Sequence, residues 1–231
     1  MWVQKNRIPE HAETQFPVEH ELVVSRRLQQ SHPYELILPQ EYEPGYAYPL
    51  LVYFHDDGGN EQHLHRWMNH ISRQNFIGLG LRAPLLDRSL LPGRYRWASR
   101  RRPLYRQMED IIGELRLDWN IHLKRIVLFG EGTGGVLALR IWLRYRHSFA
   151  GAIALQPEEH WERKLPPLAA DLDGRILLGG LQDAAGSAAA IDGLTEAGID
   201  VRLIDAPLEN RPAVGSAINH WMMSGISTAI W

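Results

Sequence analysis

IVLFGEGTGGVLALRIW, residues 126–142, runs from a β-branched apolar stretch through Gly130, Gly132, Gly134 and Gly135 into an apolar stretch of helical character. Two readings fit it. As Gly130-x-Gly132-x-x-Gly135 it matches the dinucleotide fingerprint, whose glycines let the backbone approach a pyrophosphate at a helix N-terminus. As Gly130-x-Gly132-x-Gly134 it matches a sharp strand-to-helix turn that presents a nucleophilic side chain at its apex. The apex residue is then Gly132, which has no side chain.

The flanking pattern discriminates between the two. Ahead of the glycines, PLLVYF (49–54) and FIGLGL (76–81) are continuous apolar runs of the kind found in strands buried on both faces, and Asn60 can cap a helix over about 61–74 between them. Segments 18–25 and 34–38 read as antiparallel edge strands, preceded by an irregular stretch over 1–17. Apolar residues at Leu104, Met108, Ile111, Ile112 and Leu115 predict a helix; RIVLF (125–129) is the next strand, and 136–145 is a centrally buried helix. FAGAIAL (149–155), RILLGG (175–180) and VRLID (201–205) are further strands, with an Ala-rich helix over about 187–197. Val214, Ile218, Trp221, Met222 and Ile226 mark a closing amphipathic helix. Such alternation predicts an α/β fold, a mainly parallel sheet with helices on both faces joined by right-handed crossovers. The dinucleotide fingerprint usually opens its domain, whereas fewer than a hundred residues and three strands follow Gly135. Glu158 or Glu159, just beyond the next strand, stands where a ribose-binding acid would, and keeps that alternative open.

A chain of 231 residues, 45% hydrophobic, can bury the core of one large domain over 1–231 without metal or disulfide support. It has no cysteine, which excludes disulfides, thiol catalysis and cysteine-ligated zinc. Lys and Arg number 25 against 27 Asp and Glu, for a net charge of -2, so no bulk electrostatic footprint for nucleic acid exists. The basic residues concentrate in RYRWASRRRPLYR (94–106). No basic-then-apolar leader and no apolar run of membrane-spanning length is present, so a cytoplasmic location without a membrane span is expected.

Three stretches carry a family resemblance in the correct order. LLVYFHDDGGNEQ resembles the strand and oxyanion loop of α/β-hydrolases. NIHLKRIVLFGEGTGGVLALRIWLRYRHSFAGAIAL resembles the nucleophile-elbow region of their esterase, phospholipase/carboxylesterase and polyhydroxyalkanoate-depolymerase-like branch. RILLGGLQD resembles that branch's seventh strand, with Asp183 at the position of the triad acid. The resemblance covers about 34–231 and implies an α/β-hydrolase fold of roughly eight strands with no large lid. It implies Gly130, Glu131, Gly134 and Gly135 as the body of the elbow, and oxyanion donors on the backbone of Thr133 and of Asp56 or Asp57.

The departures from the family are chemical. The elbow exists to present a serine oxygen to a histidine and two backbone N–H donors, and Gly132 can be neither nucleophile nor acid. Thr133 is the neighbouring hydroxyl, but placing it at the apex would put Glu131 where a small residue is needed. After Asp183 the one histidine is His220, inside the closing helix rather than on the 207–214 loop where the family carries its base. His220 therefore reads as a helix-surface histidine before it reads as a base, and Asp183 as a loop carboxylate or helix cap as readily as a relic of a triad. Asp56 and Asp57 replace small residues of the oxyanion loop and are expected to repel an anion.

His55, Asp56, Asp57, His63 and His65 fall close together, and a metal-bound water could in principle replace serine. His63 and His65 are not three or four apart, however, so solvated polarity is the expectation and no metal or cofactor is assigned. Arg94, Arg96 and Trp97, with Arg100, Arg101 and Arg102, form either a solvated face or a pocket rim for an acidic ligand. Together these features describe a hydrolase-shaped protein without serine-ester chemistry, whose expected partner is a small-molecule ligand or a protein, a second copy of the chain included. The alternative is an active ester hydrolase, with Gly132 engineered in place of a natural serine or with a metal supplying the nucleophile.

Overall fold

The computed structural model describes residues 32–87, 93–97, 104–182 and 184–228. The expected segments at 1–17 and 18–25, Arg100 to Arg102, and Asp183 lie outside the described residues. In chain order the elements are β1 (Tyr34–Ile37), β2 (Tyr48–Phe54), a 3-10 turn (Glu61–His63) running into α1 (Leu64–Ile71), and β3 (Ile77–Leu81). The short strands β4 (Leu85–Leu86) and β5 (Tyr95–Arg96), α2 (Leu104–Asp118), β6 (Ile121–Glu131) and α3 (Gly132–Arg144) follow. The chain continues through β7 (Gly151–Leu155), β8 (Arg175–Gly179), α4 (Ala184–Glu196), β9 (Asp200–Ile204) and α5 (Arg211–Thr228).

Among the described residues the main sheet has seven strands in the order β1-β3-β2-β6-β7-β8-β9, all parallel except β1, which runs antiparallel to β3. β4 and β5 form a separate antiparallel ribbon. The apolar run at the start of β2 has a simple cause: every residue of Tyr48–Phe54 is buried, because successive side chains enter opposite layers. Leu50, Val52 and Phe54 join the core under α2, α3 and α4, where Met108, Ile112, Leu139 and Leu194 meet them. Leu51 and Tyr53 enter the other layer, against Leu64, Trp67 and Met68 of α1 and Val214, Ile218 and Trp221 of α5. Each such buried side chain contributes about 1.5–3 kcal/mol. No helix among the described residues is long and apolar enough to cross a membrane.

Two elements extend beyond their sequence signals. β6 begins at Ile121, ahead of the RIVLF run, because Ile121 pairs with Tyr48 across a register shift between Tyr48 and Leu50. α3 begins at Gly132 itself, directly at the end of β6, so Gly132, Gly134 and Gly135 lie in its first turn and Gly130 in the strand.

Candidate elbow site

At the β6–α3 junction the backbone of Gly132 has φ +52°, in the left-handed region that only glycine adopts without strain. A Cβ on Gly130 would stand 2.2 Å from the carbonyl oxygen of Gly134, and one on Gly134 would stand 2.2 Å from that of Phe54. These two glycines let α3 close onto the ends of β2 and β6, and they fix the apex of the turn at position 132. Thr133 is therefore one residue past the apex, and the Glu131 side chain lies on the wall of the cavity beside it.

The space above Gly132 holds the carboxylate of Asp56. A Cβ at position 132 would lie 2.1 Å from Asp56 Oδ1. The Thr133 N–H and hydroxyl both donate to that oxygen at 2.9 Å, and the Asp57 N–H donates to it at 2.8 Å. Thr133 and Asp57 carry the N–H groups expected to serve as oxyanion donors. The acid on this loop was expected to repel an anion from these donors; instead its own carboxylate accepts from them.

The loop holding Asp56 is braced from behind by the β4–β5 ribbon. Gly58 N–H donates to Tyr95 O at 2.8 Å and Tyr95 N–H to Gly59 O at 2.9 Å. Trp97 N–H donates to Asp57 Oδ1 at 2.9 Å, and the Trp97 indole N–H to His55 O at 2.7 Å. His55 departs from the expectation of a solvated histidine cluster, since it is fully buried at the end of β2. The Ala83 N–H donates to its Nε2 at 3.1 Å, which places the imidazole proton on Nδ1, 2.7 Å from the Asp56 carbonyl oxygen it serves. Burial pushes the His55 pKa down, so this neutral tautomer persists as a structural strut. Below it, Glu61 and Arg82 form an ion pair through two guanidinium nitrogens. Burial raises the Glu61 pKa, and the Arg82 hydrogen bond more than reverses this, leaving it below the usual carboxylate range.

A cavity of about 230 Å³ opens over the elbow, lined among others by Asp56, Glu131, His63, Arg66, Arg94 and Arg211. Glu131 accepts a hydrogen bond from the Tyr53 hydroxyl. Burial, and then the Glu131 charge, hold the Tyr53 pKa well above its ordinary value, so the phenol remains a donor. His63 is pushed down to about 4, first by burial and then by the charges of Arg66, His55 and Arg94. Gln156, at the carboxyl end of β7, lines the same cavity with φ +45°, a strained backbone for a residue other than glycine.

Of the expected rim residues, Arg94 lines the cavity, and its Nη1 donates to Gly58 O at 2.9 Å. Trp97 packs against Phe54 and His55 as part of the brace. Arg96 is exposed and is not on the cavity wall. His220 is exposed on α5, which turns Ile218, Trp221 and Met222 inward and His220 away, and it does not line the cavity. The histidines and acids of 55–65 do not gather: His65 bonds Glu35 at 2.7 Å, His63 faces the cavity, and among the described residues no group of three or more His, Asp or Glu is placed to hold an ion. Sequence reasoning missed Tyr53, Arg66, Arg211 and Gln156, which come from four separate elements or their ends. The placement of Gln156 at a strand's carboxyl end was the one signal available.

Neither a protein-family model nor a curated protein sequence matches the chain. Solved structures do. It is similar to a carboxylesterase from Bacillus cereus, with a TM-score of 0.62 and 15% identity over 87% of this chain and 98% of that one. It is similar to a carboxylesterase from Mesorhizobium loti, with a TM-score of 0.59 and 18% identity over 84% and 95% of the two chains. YahD, solved with malic acid, follows with a TM-score of 0.58 and 14% identity over 84% and 99%. The sheet order, the elbow at the end of β6 and these likenesses define an α/β-hydrolase fold.

Proposed function

We propose that this protein is a non-catalytic member of the α/β-hydrolase fold, which uses the cavity over its elbow to bind a ligand in place of cleaving an ester. The observation that carries this reading is the position of Asp56 Oδ1, 2.9 Å from the Thr133 N–H and inside the space a Cβ at position 132 would need. Serine catalysis needs a nucleophile at the apex and an open hole for the developing oxyanion. Gly132 removes the first, and Asp56 occupies the second. The absence of His220 from the cavity wall supports the same conclusion.

The reading also explains why Gly132 need not be a replaced serine. A side chain there would press on an acid that three hydrogen bonds hold in place. The test is a fluorophosphonate label together with short-chain p-nitrophenyl esters: no labelling and no turnover above the uncatalysed rate are expected. Stoichiometric labelling of Thr133, or saturable turnover, would overturn the reading.

A further inference from the structure

The elbow cavity contains acids and bases that do not neutralise each other. Each acid has a donor of its own: Asp56 takes Thr133 and Asp57, Asp57 takes the Trp97 N–H, and Glu131 takes the Tyr53 hydroxyl. Arg66 comes from α1, Arg94 from the turn before β5, and Arg211 is the first residue of α5. None of the three forms an ion pair with a carboxylate among the described residues. Among the described residues the Arg94 guanidinium donates only to the carbonyl oxygen of Gly58. Guanidinium groups present a planar fork of N–H donors that matches carboxylate or phosphate, and here much of that donor capacity faces open space.

We infer that this cavity is a binding site for a small oxyanion, carboxylate or phosphate, held by Arg66, Arg94 and Arg211, whose remaining polar groups donate hydrogen bonds toward Asp56 and Glu131. The inference rests on the non-catalytic reading of the same cavity. The anion does not sit in the former oxyanion hole, because the Asp56 carboxylate is there; the seat is displaced toward the arginines. His63, neutral in this cationic surrounding, is the adjoining side chain able both to donate and to accept. The volume of about 230 Å³ lies below the roughly 300–1,000 Å³ of pockets for drug-sized ligands, which points to a small molecule.

The test is calorimetric titration of the full chain at low ionic strength with inorganic phosphate and, separately, with acetate, against tetramethylammonium chloride as a cationic control. Saturable binding of either anion at one site, weakened about ten-fold by R66Q or R94Q and at least as much by R211Q, is the expected result. Phosphate binding without acetate binding assigns a phosphate-bearing ligand, and the reverse a carboxylate. R202Q, on β9 and not on the cavity wall, should leave the titration unchanged. No saturable binding of either anion up to roughly 10 mM, binding indifferent to the cavity arginines, or equal binding of the cation would overturn the inference. Ester turnover by the parent protein would sink the non-catalytic reading instead, and the two failures are read in different assays.

Discussion

Asp56 Oδ1 accepts hydrogen bonds from both the backbone N–H and the hydroxyl of Thr133, each at 2.9 Å. A residue of the loop after β2 thus satisfies the first turn of α3. A helix N-terminus favours a negative charge, and here the chain supplies its own.

Gly132→Ser is expected to leave esterase activity absent and to destabilise the fold. The new Cβ would stand 2.1 Å from Asp56 Oδ1, on a backbone with φ +52°. A loss of about 1–3 kcal/mol is expected from the strained φ and the displaced hydrogen bonds, read by denaturant unfolding. Robust p-nitrophenyl acetate turnover by this variant would show that a competent base is in place.

A double-mutant cycle isolates the contact. Asp56→Ala alone loses the bonds to Thr133 and Asp57, costing about 1–2 kcal/mol. Because it also vacates the space above the apex, Gly132→Ser should be less damaging in that background than in the parent. Strict additivity of the two free energies would contradict the geometry.

The His63 imidazole is held neutral until about pH 4, so its NMR titration should fall well below the ordinary histidine range near 6.5. The groups acting on it are Arg66, His55 and Arg94, which lower its pKa, and Glu61, which raises it. Because the folded pKa is depressed, the unfolded chain binds this proton first as pH falls. The stability associated with neutral His63 is complete above about pH 6.5 and is lost as pH drops toward 4. His63→Gln should flatten that part of the stability profile; an unchanged slope would assign it to other groups.

Tyr53→Phe removes the hydroxyl that donates to Glu131 while keeping the buried ring, which packs on Phe129 at 5.2 Å. Leaving the carboxylate one donor short should cost about 1–2 kcal/mol, a fall of roughly 2–4 °C in Tm per kcal/mol for a chain of this size. Glu131→Gln, which keeps an acceptor for Tyr53, should be milder.

The strand runs at 49–54 and 76–81 were legible because burial on both faces leaves no polar position in them. The elbow was legible because close approach at Gly130 and Gly134 excludes any side chain. The direction of the Asp56 carboxylate was less so. Sequence places Asp56 on the oxyanion loop and predicts repulsion, but whether a carboxylate points away or folds inward depends on donors more than seventy residues along the chain. His55 misled in a similar way: its burial depends on the Ala83 N–H and on Trp97, brought in by β3 and by the ribbon. Of the cavity arginines, Arg94 stood out in the basic run at 94–106, whereas Arg66 and Arg211 come from distant helices and no local spacing announces them.

The Asp56–Gly132 pairing also couples what each of the two positions can accept. A side chain arriving first at 132 meets the acid, and removal of the acid first leaves the Thr133 and Asp57 N–H groups without their acceptor. Neither single change leaves the junction satisfied, so the two positions are free to vary only together. The junction between β6 and α3 is thereby locked to a loop more than seventy positions earlier in the chain.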